Sequence, residues 1–121
     1  MILEVAQIDI KAGCASAFEI AMQQAVRLLR QVQGFRSYNL LRSIEVPNRY
    51  RLLVGWETVE SHTKGFQQSA VFQQWRGLLG DYFQSTPSVE HMEFLVADST
   101  SGPEPDPRGG KQDVPSTGAR P

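Results

Sequence analysis

At 121 residues, with 12 basic side chains against 13 acidic ones, the chain is close to neutral and sized for a single domain. That balance excludes the basic face of a nucleic-acid binder, and no apolar run approaches the roughly 20 residues that cross a bilayer. The N-terminus opens on MILEVAQIDI, with acidic residues where a secretory signal would be basic, so a cytoplasmic protein is predicted, with neither nucleic acid nor membrane as partner.

Residues 2–10 are rich in Ile, Leu and Val and end at Lys11-Ala12-Gly13, which reads as a strand leaving its sheet through a turn. The single cysteine, Cys14, permits no internal disulfide, and two histidines 29 residues apart make no close zinc-type cluster. From about Ala15 to Gln33, Phe18, Met22, Ala25, Leu29 and Val32 recur at steps of four and three, which predicts an amphipathic helix stopped by Gly34. Two strands follow, Phe35 to about Ile44 and Arg49 to Glu57. The turn-forming Glu45-Val46-Pro47-Asn48 joins them at hairpin distance, so they should pair antiparallel.

The stretch from Trp56 to Trp75 carries the strongest functional signal. Beyond Trp56 at the strand end, His62, Phe66, Ser69, Phe72 and Trp75 recur three or four residues apart on one helical face, with an ionisable imidazole among apolar neighbours. Thr58 can cap this segment, and Gly65 and Ser69 suggest a break between a short helix at Val59–Phe66 and a longer one at Ala70–Phe83. This face reads as the wall of a small-molecule pocket. Phe72 and Trp75 suit core packing first, and Trp56, at a strand end, suits pocket contact. His62 reads equally well as a buried core or interface histidine.

Val89 to Val96 forms the last strand. Alternation puts His91 on the side of Val89, opposite Met92 and Phe94, where it is either a second polar pocket group or an interface residue. The order is β-α-β-β-α-β, an α+β, ferredoxin-like arrangement of two helices on one face of a four-stranded antiparallel sheet. The strands are apolar on both sides: Ile2, Ala6, Ile8 and Ile10 lie opposite Leu3 and Val5, and Tyr50, Leu52, Val54 and Trp56 lie opposite Leu53 and Gly55. Two helices cannot cover both faces, which predicts a homodimer packed sheet to sheet. Arg36, Arg42, Arg49 and Arg51 read as a solvated edge, with Arg51 the one candidate for an anionic partner. After Asp98 the composition changes: residues 99–121 hold five of the seven prolines and no aromatic residue, so domain 1–98 is expected to end in a disordered tail.

The KAG turn into the first helix, the strand YRLLVGWET and the H-x3-F-x2-S-x2-F-x2-W segment together resemble the antibiotic biosynthesis monooxygenase domain, over roughly residues 1–96. The resemblance implies a dimeric α+β barrel and oxidation of a phenolic, quinol or polyketide-type aromatic substrate by dioxygen, without cofactor or metal. His62 would be the catalytic base, Trp56, Phe66 and Phe72 aromatic walls, and Ser69 or Asn39 hydrogen-bonding groups for substrate or oxygen. The family's haem-degrading branch carries an asparagine, a tryptophan and a haem-ligating histidine where this chain has Ala6, Phe66 and Arg76, so that chemistry is not expected. The alternative is a dimeric barrel that holds a hydrophobic ligand, or serves in a stress response, without turnover.

Overall fold

The computed structural model describes residues 1–96 and 98; the tail expected at 99–121 lies outside them. The elements are β1 (Ile2–Asp9), α1 (Ala15–Leu29), β2 (Phe35–Arg42), β3 (Arg49–Trp56), a π-helical turn (Ser61–Phe66), α2 (Ala70–Leu79), a 3-10 turn (Gly80–Tyr82) and β4 (Ser88–Glu93). They form one antiparallel sheet in the order β2-β3-β1-β4, the ferredoxin-like arrangement expected from the hydrophobic periodicities.

Local chemistry accounts for the joints. Asn48 adopts φ 64° in the hairpin, a left-handed conformation that asparagine tolerates. Gly34, at φ 92°, turns the chain from α1 into β2, and a Cβ there would overlap the Ser61 hydroxyl, so the π-helical turn can sit this close only over a glycine. Thr58 Oγ1 accepts the Ser61 N–H at 3.0 Å, satisfying a donor at the start of that turn as its capping role requires. Ser69 is extended (φ −102°, ψ 163°), which separates the π-helical turn from α2 at the expected break.

The core lies between the inner sheet face and the helices. Ala6, Ile8, Tyr50, Leu52, Val54 and Trp56 meet Phe18, Met22, Ala25 and Leu29 of α1 and Leu79 of α2. Several boundaries differ from expectation. α1 ends at Leu29, although Val32 stays buried in the turn beyond it, and β2 ends at Arg42. α2 tightens into the 3-10 turn after Leu79, where Gly80 weakens the helix.

The last strand brings the largest revision, because β4 runs Ser88–Glu93 and stops before Phe94. Its register sets His91 opposite Glu4 and Val89 opposite Ala6, so His91 and Val89 share the helix side and Met92 lies on the outer face, 46% exposed. Of the four strand arginines, only Arg36 and Arg42 lie on an edge strand, β2, where Arg36 pairs with Glu57. Arg49 and Arg51 stand on the inner strand β3, where Arg49 pairs with Asp9 at 2.8 Å and Arg51 donates to Gln7 at 2.7 Å on the outer face, which departs from the expected edge.

Candidate functional site

The inner side of β1 carries one residue that hydrophobic alternation alone does not explain. Glu4 falls between Ile2 and Ala6 on the helix face, and its neighbours leave it only 7% exposed. A buried carboxyl needs partners. Trp56, paired in the adjacent strand two residues away in register, donates its indole N–H to Glu4 Oε1 at 2.9 Å, and His62 Nε2 stands 3.4 Å from the same oxygen. On its other side, His62 Nδ1 meets His91 Nε2 at 2.8 Å. Glu4, His62 and His91 thus form a line from a buried carboxyl, through an imidazole 2% exposed, to an exposed imidazole on the edge strand.

Aromatic rings fix this line in place. The Trp56 indole stacks beside the His62 ring at 5.5 Å between centroids, and Phe66 stacks near both at 5.9 and 6.1 Å. Phe72 and Trp75 meet Phe66 edge-on at 5.2 and 5.6 Å. Under these rings lies a cavity of about 440 Å³, inside the range of small-molecule sites, lined in part by Glu4, His62, Phe66, Phe72, Trp75 and Arg76.

Burial sets the protonation states. Removal from water pushes the Glu4 carboxyl up to about 7, against a smaller opposing effect from the Trp56 hydrogen bond. The same desolvation, with His91 adding to it, pulls His62 down to about 4. The sequence suggests an imidazole that titrates near neutrality; in the folded protein the imidazole stays neutral and the carboxyl beside it titrates there. The line has two proton arrangements. With Glu4 ionised, a proton on His62 Nε2 faces the carboxylate at 3.4 Å and Nδ1 accepts from His91. With Glu4 protonated, the unprotonated His62 Nε2 faces the carboxyl and Nδ1–H donates to His91. The three groups are strung end to end, so their lone pairs do not converge, and among the described residues no group of three or more His, Cys, Asp or Glu is placed to hold a metal ion.

The expected residues divide accordingly. His62, Phe66 and Phe72 come together at the cavity. Trp56 is fully buried behind His62 and is spent on holding Glu4, so it is the core residue while Trp75 forms wall, the reverse of what their places in the sequence suggest. His91 contacts His62 but is absent from the cavity lining. Ser69 is not brought to the cavity lining: its hydroxyl donates to the Phe66 carbonyl at 2.7 Å, closing the preceding turn. Asn39 does not reach this cavity either. Its register opposite Leu53 places it on the face away from the helices, two strands from β1, because strand alternation carries it out while Tyr38 and Leu40 turn in. Glu4 and Arg76 were not anticipated as site residues. The only sequence signal for Glu4 was an acidic residue at an inward position of an otherwise apolar strand.

Comparison with known proteins places these features in context. A family model described as antibiotic biosynthesis monooxygenase matches residues 1–78. The uncharacterised protein YczJ of Bacillus subtilis is 38% identical over 93 residues, covering 77% of this chain and 98% of its own. A Bordetella bronchiseptica structure, provisionally assigned as an antibiotic biosynthesis monooxygenase, is 42% identical with a TM-score of 0.77, covering 78% of this chain and 97% of its own. The haem degrader MhuD of Mycobacterium tuberculosis shares the fold at 17% identity and a TM-score of 0.67, over 82% of this chain and all of its own.

Proposed function

From the premise that this chain belongs to the antibiotic biosynthesis monooxygenase family, we propose that it is a cofactor-independent monooxygenase acting on a phenolic, quinol or polyketide-type aromatic substrate. The observation that carries the reading is the Glu4 carboxyl, which borders an aromatic-walled cavity and titrates at about 7. Triplet dioxygen reacts slowly with closed-shell organic molecules, so a reaction of this kind starts by making the substrate electron-rich. Removing a proton from a phenol or enol does that. Glu4 Oε1 accepts the Trp56 N–H and has His62 Nε2 3.4 Å away, whereas Oε2 accepts no hydrogen bond among the described residues and is the natural proton acceptor.

A base with a proton affinity near the working pH combines availability with driving force. His62 then acts as a positioning residue. It holds Glu4 from one side and connects it through His91 to the edge strand. The resulting anion passes an electron to dioxygen, and the radical pair joins at the activated carbon. For an anthrone-type substrate, one oxygen atom remains as the new ketone and the other leaves in water with the two hydrogens of the oxidised carbon. Phe66, Phe72 and Trp75 would hold the flat ring and keep water from the intermediate.

The test is oxygen consumption by the full chain with a panel of hydroquinones and anthrone-type phenols. Uptake above the protein-free rate, with a quinone product, is expected for at least one compound. His62→Ala should lower that rate by about tenfold or more, as expected when a positioned proton-transfer network is disrupted. No uptake with any compound, together with ligand-induced thermal stabilisation, would favour the barrel that binds a hydrophobic ligand without turnover.

We infer that the working unit is a homodimer. Leu3, Val5 and Leu53 are only half-buried on the outer sheet face, and Met92 and Leu41 are 46% and 47% exposed beside them. Light scattering at micromolar concentration should return twice the chain mass, about 27 kDa from a 13.5 kDa chain. A 13.5 kDa species would exclude the sheet-to-sheet pair.

A further inference from the structure

Among the ionisable side chains that line the cavity, one has no part in the scheme above. Arg76 projects from the last turn of α2, directly after the wall residue Trp75, and is solvent-exposed where Glu4 and His62 are buried. The cavity is therefore polarised: its inner end holds a carboxyl and a neutral imidazole, and its outer end holds a guanidinium. Arg76 makes no salt bridge among the described residues, although Arg36, Arg42 and Arg49 each hold an acidic partner. Glu4 is the only acidic residue in the lining, and Gln67 and Thr86 add neutral polar groups.

We propose that Arg76 makes this cavity selective for an aromatic substrate that carries a carboxylate, held at the mouth by the guanidinium, with the substrate's acidic hydroxyl directed inward to Glu4. The proposal rests on the reading of the cavity as the substrate site and specifies what enters it. A planar guanidinium matches a carboxylate with two parallel N–H···O bonds, which fixes orientation as well as affinity. Inverted binding would bring the substrate's charge against Glu4, where a second buried anion has no cation to meet. The two ends of the cavity thus favour the same orientation. Phe66, Phe72 and Trp75 supply flat apolar surface between them.

A matched pair of ligands, hydroxynaphthoate and naphthol, separates this charge from aromatic burial. Calorimetric titration of the full chain should show the acid binding about fivefold to tenfold more tightly, the size expected of a charge-assisted pair at a partly solvated mouth. Raising the salt concentration should shrink that ratio. Arg76→Gln should bring the two affinities to within about twofold while leaving naphthol binding unchanged, and Arg76→Lys should keep part of the preference. Equal affinities in the wild type, or a preference that survives Arg76→Gln, would overturn the assignment of Arg76 and leave the oxygenase reading standing. Failure of both ligands to bind would take the substrate-site reading down with it.

Discussion

Glu4→Gln should lower turnover on any substrate that the wild type oxidises by about 10²- to 10³-fold, the range in which a positioned general base acts, while making the protein more stable at pH 8. The amide keeps an oxygen for the Trp56 N–H but takes no proton from the substrate. The stability effect follows from linkage. Glu4 is raised from 4.5 to about 7 by burial, so its favourable contribution is complete below about 4.5 and is lost as pH rises through 7. His62 is lowered from 6.5 to about 4, so its contribution is complete above about 6.5 and is lost as pH falls through 4. Between about 4.5 and 6.5 the two slopes oppose each other, and this pair gives the wild type a nearly level stability curve there. Glu4→Gln removes one slope. Denaturant titrations should then show stability climbing by about 3 kcal/mol from pH 4.5 to 6.5, with His62 as the source. A variant curve as level as the wild type would show that His62 is not desolvated, and unchanged turnover would remove Glu4 as the proton acceptor.

Trp56→Ala should produce the largest loss of stability. The indole is fully buried, contacts the rings of Phe35, His62 and Phe66, and supplies the hydrogen bond to Glu4. Truncating a buried aromatic residue of this size costs about 3–5 kcal/mol, a large part of the total for a small domain. For a domain of this length, that corresponds to a fall in Tm of about 15–30 °C by differential scanning calorimetry. Trp56→Phe separates the ring from its donor. It keeps most of the aromatic contact but leaves the Glu4 charge without the Trp56 hydrogen bond, so the Glu4 titration should move further upward. A Trp56→Phe protein whose Glu4 titrates as in the wild type would show that the indole N–H does not hold the carboxylate.

Much of the fold could be read from residue order because its signals are local. The spacing of Phe18, Met22, Ala25 and Leu29 marks a helix face whatever that helix packs against, and alternation in β1 and β3 places Ala6, Ile8, Leu52 and Val54 on one side. The site was legible only in part. His62 and Phe66 share one helical turn, so their spacing brings them together, whereas Phe72 joins them from α2 across the extended Ser69. Asn39 shows the limit: its side chain suits oxygen or substrate, but the register that turns it to the opposite face is set by pairing with β3. Ser69 was recognised as a helix break, and closing that break is what occupies its hydroxyl.

The sequence by itself determined the β-α-β-β-α-β order, the split before α2 and an imidazole set among aromatic rings, since each depends on neighbours within a few positions. Only the tertiary structure decided which group titrates near neutrality. Glu4, Trp56, His62 and His91 lie on β1, β3, the π-helical turn and β4. Strand pairing aligns Glu4, Trp56 and His91, and packing of the turn on the sheet brings His62 among them, with successive contacts of 3.4 Å or less. Desolvation depends on everything packed around a group, so the same burial that silences the histidine raises the carboxyl beside it into the working range.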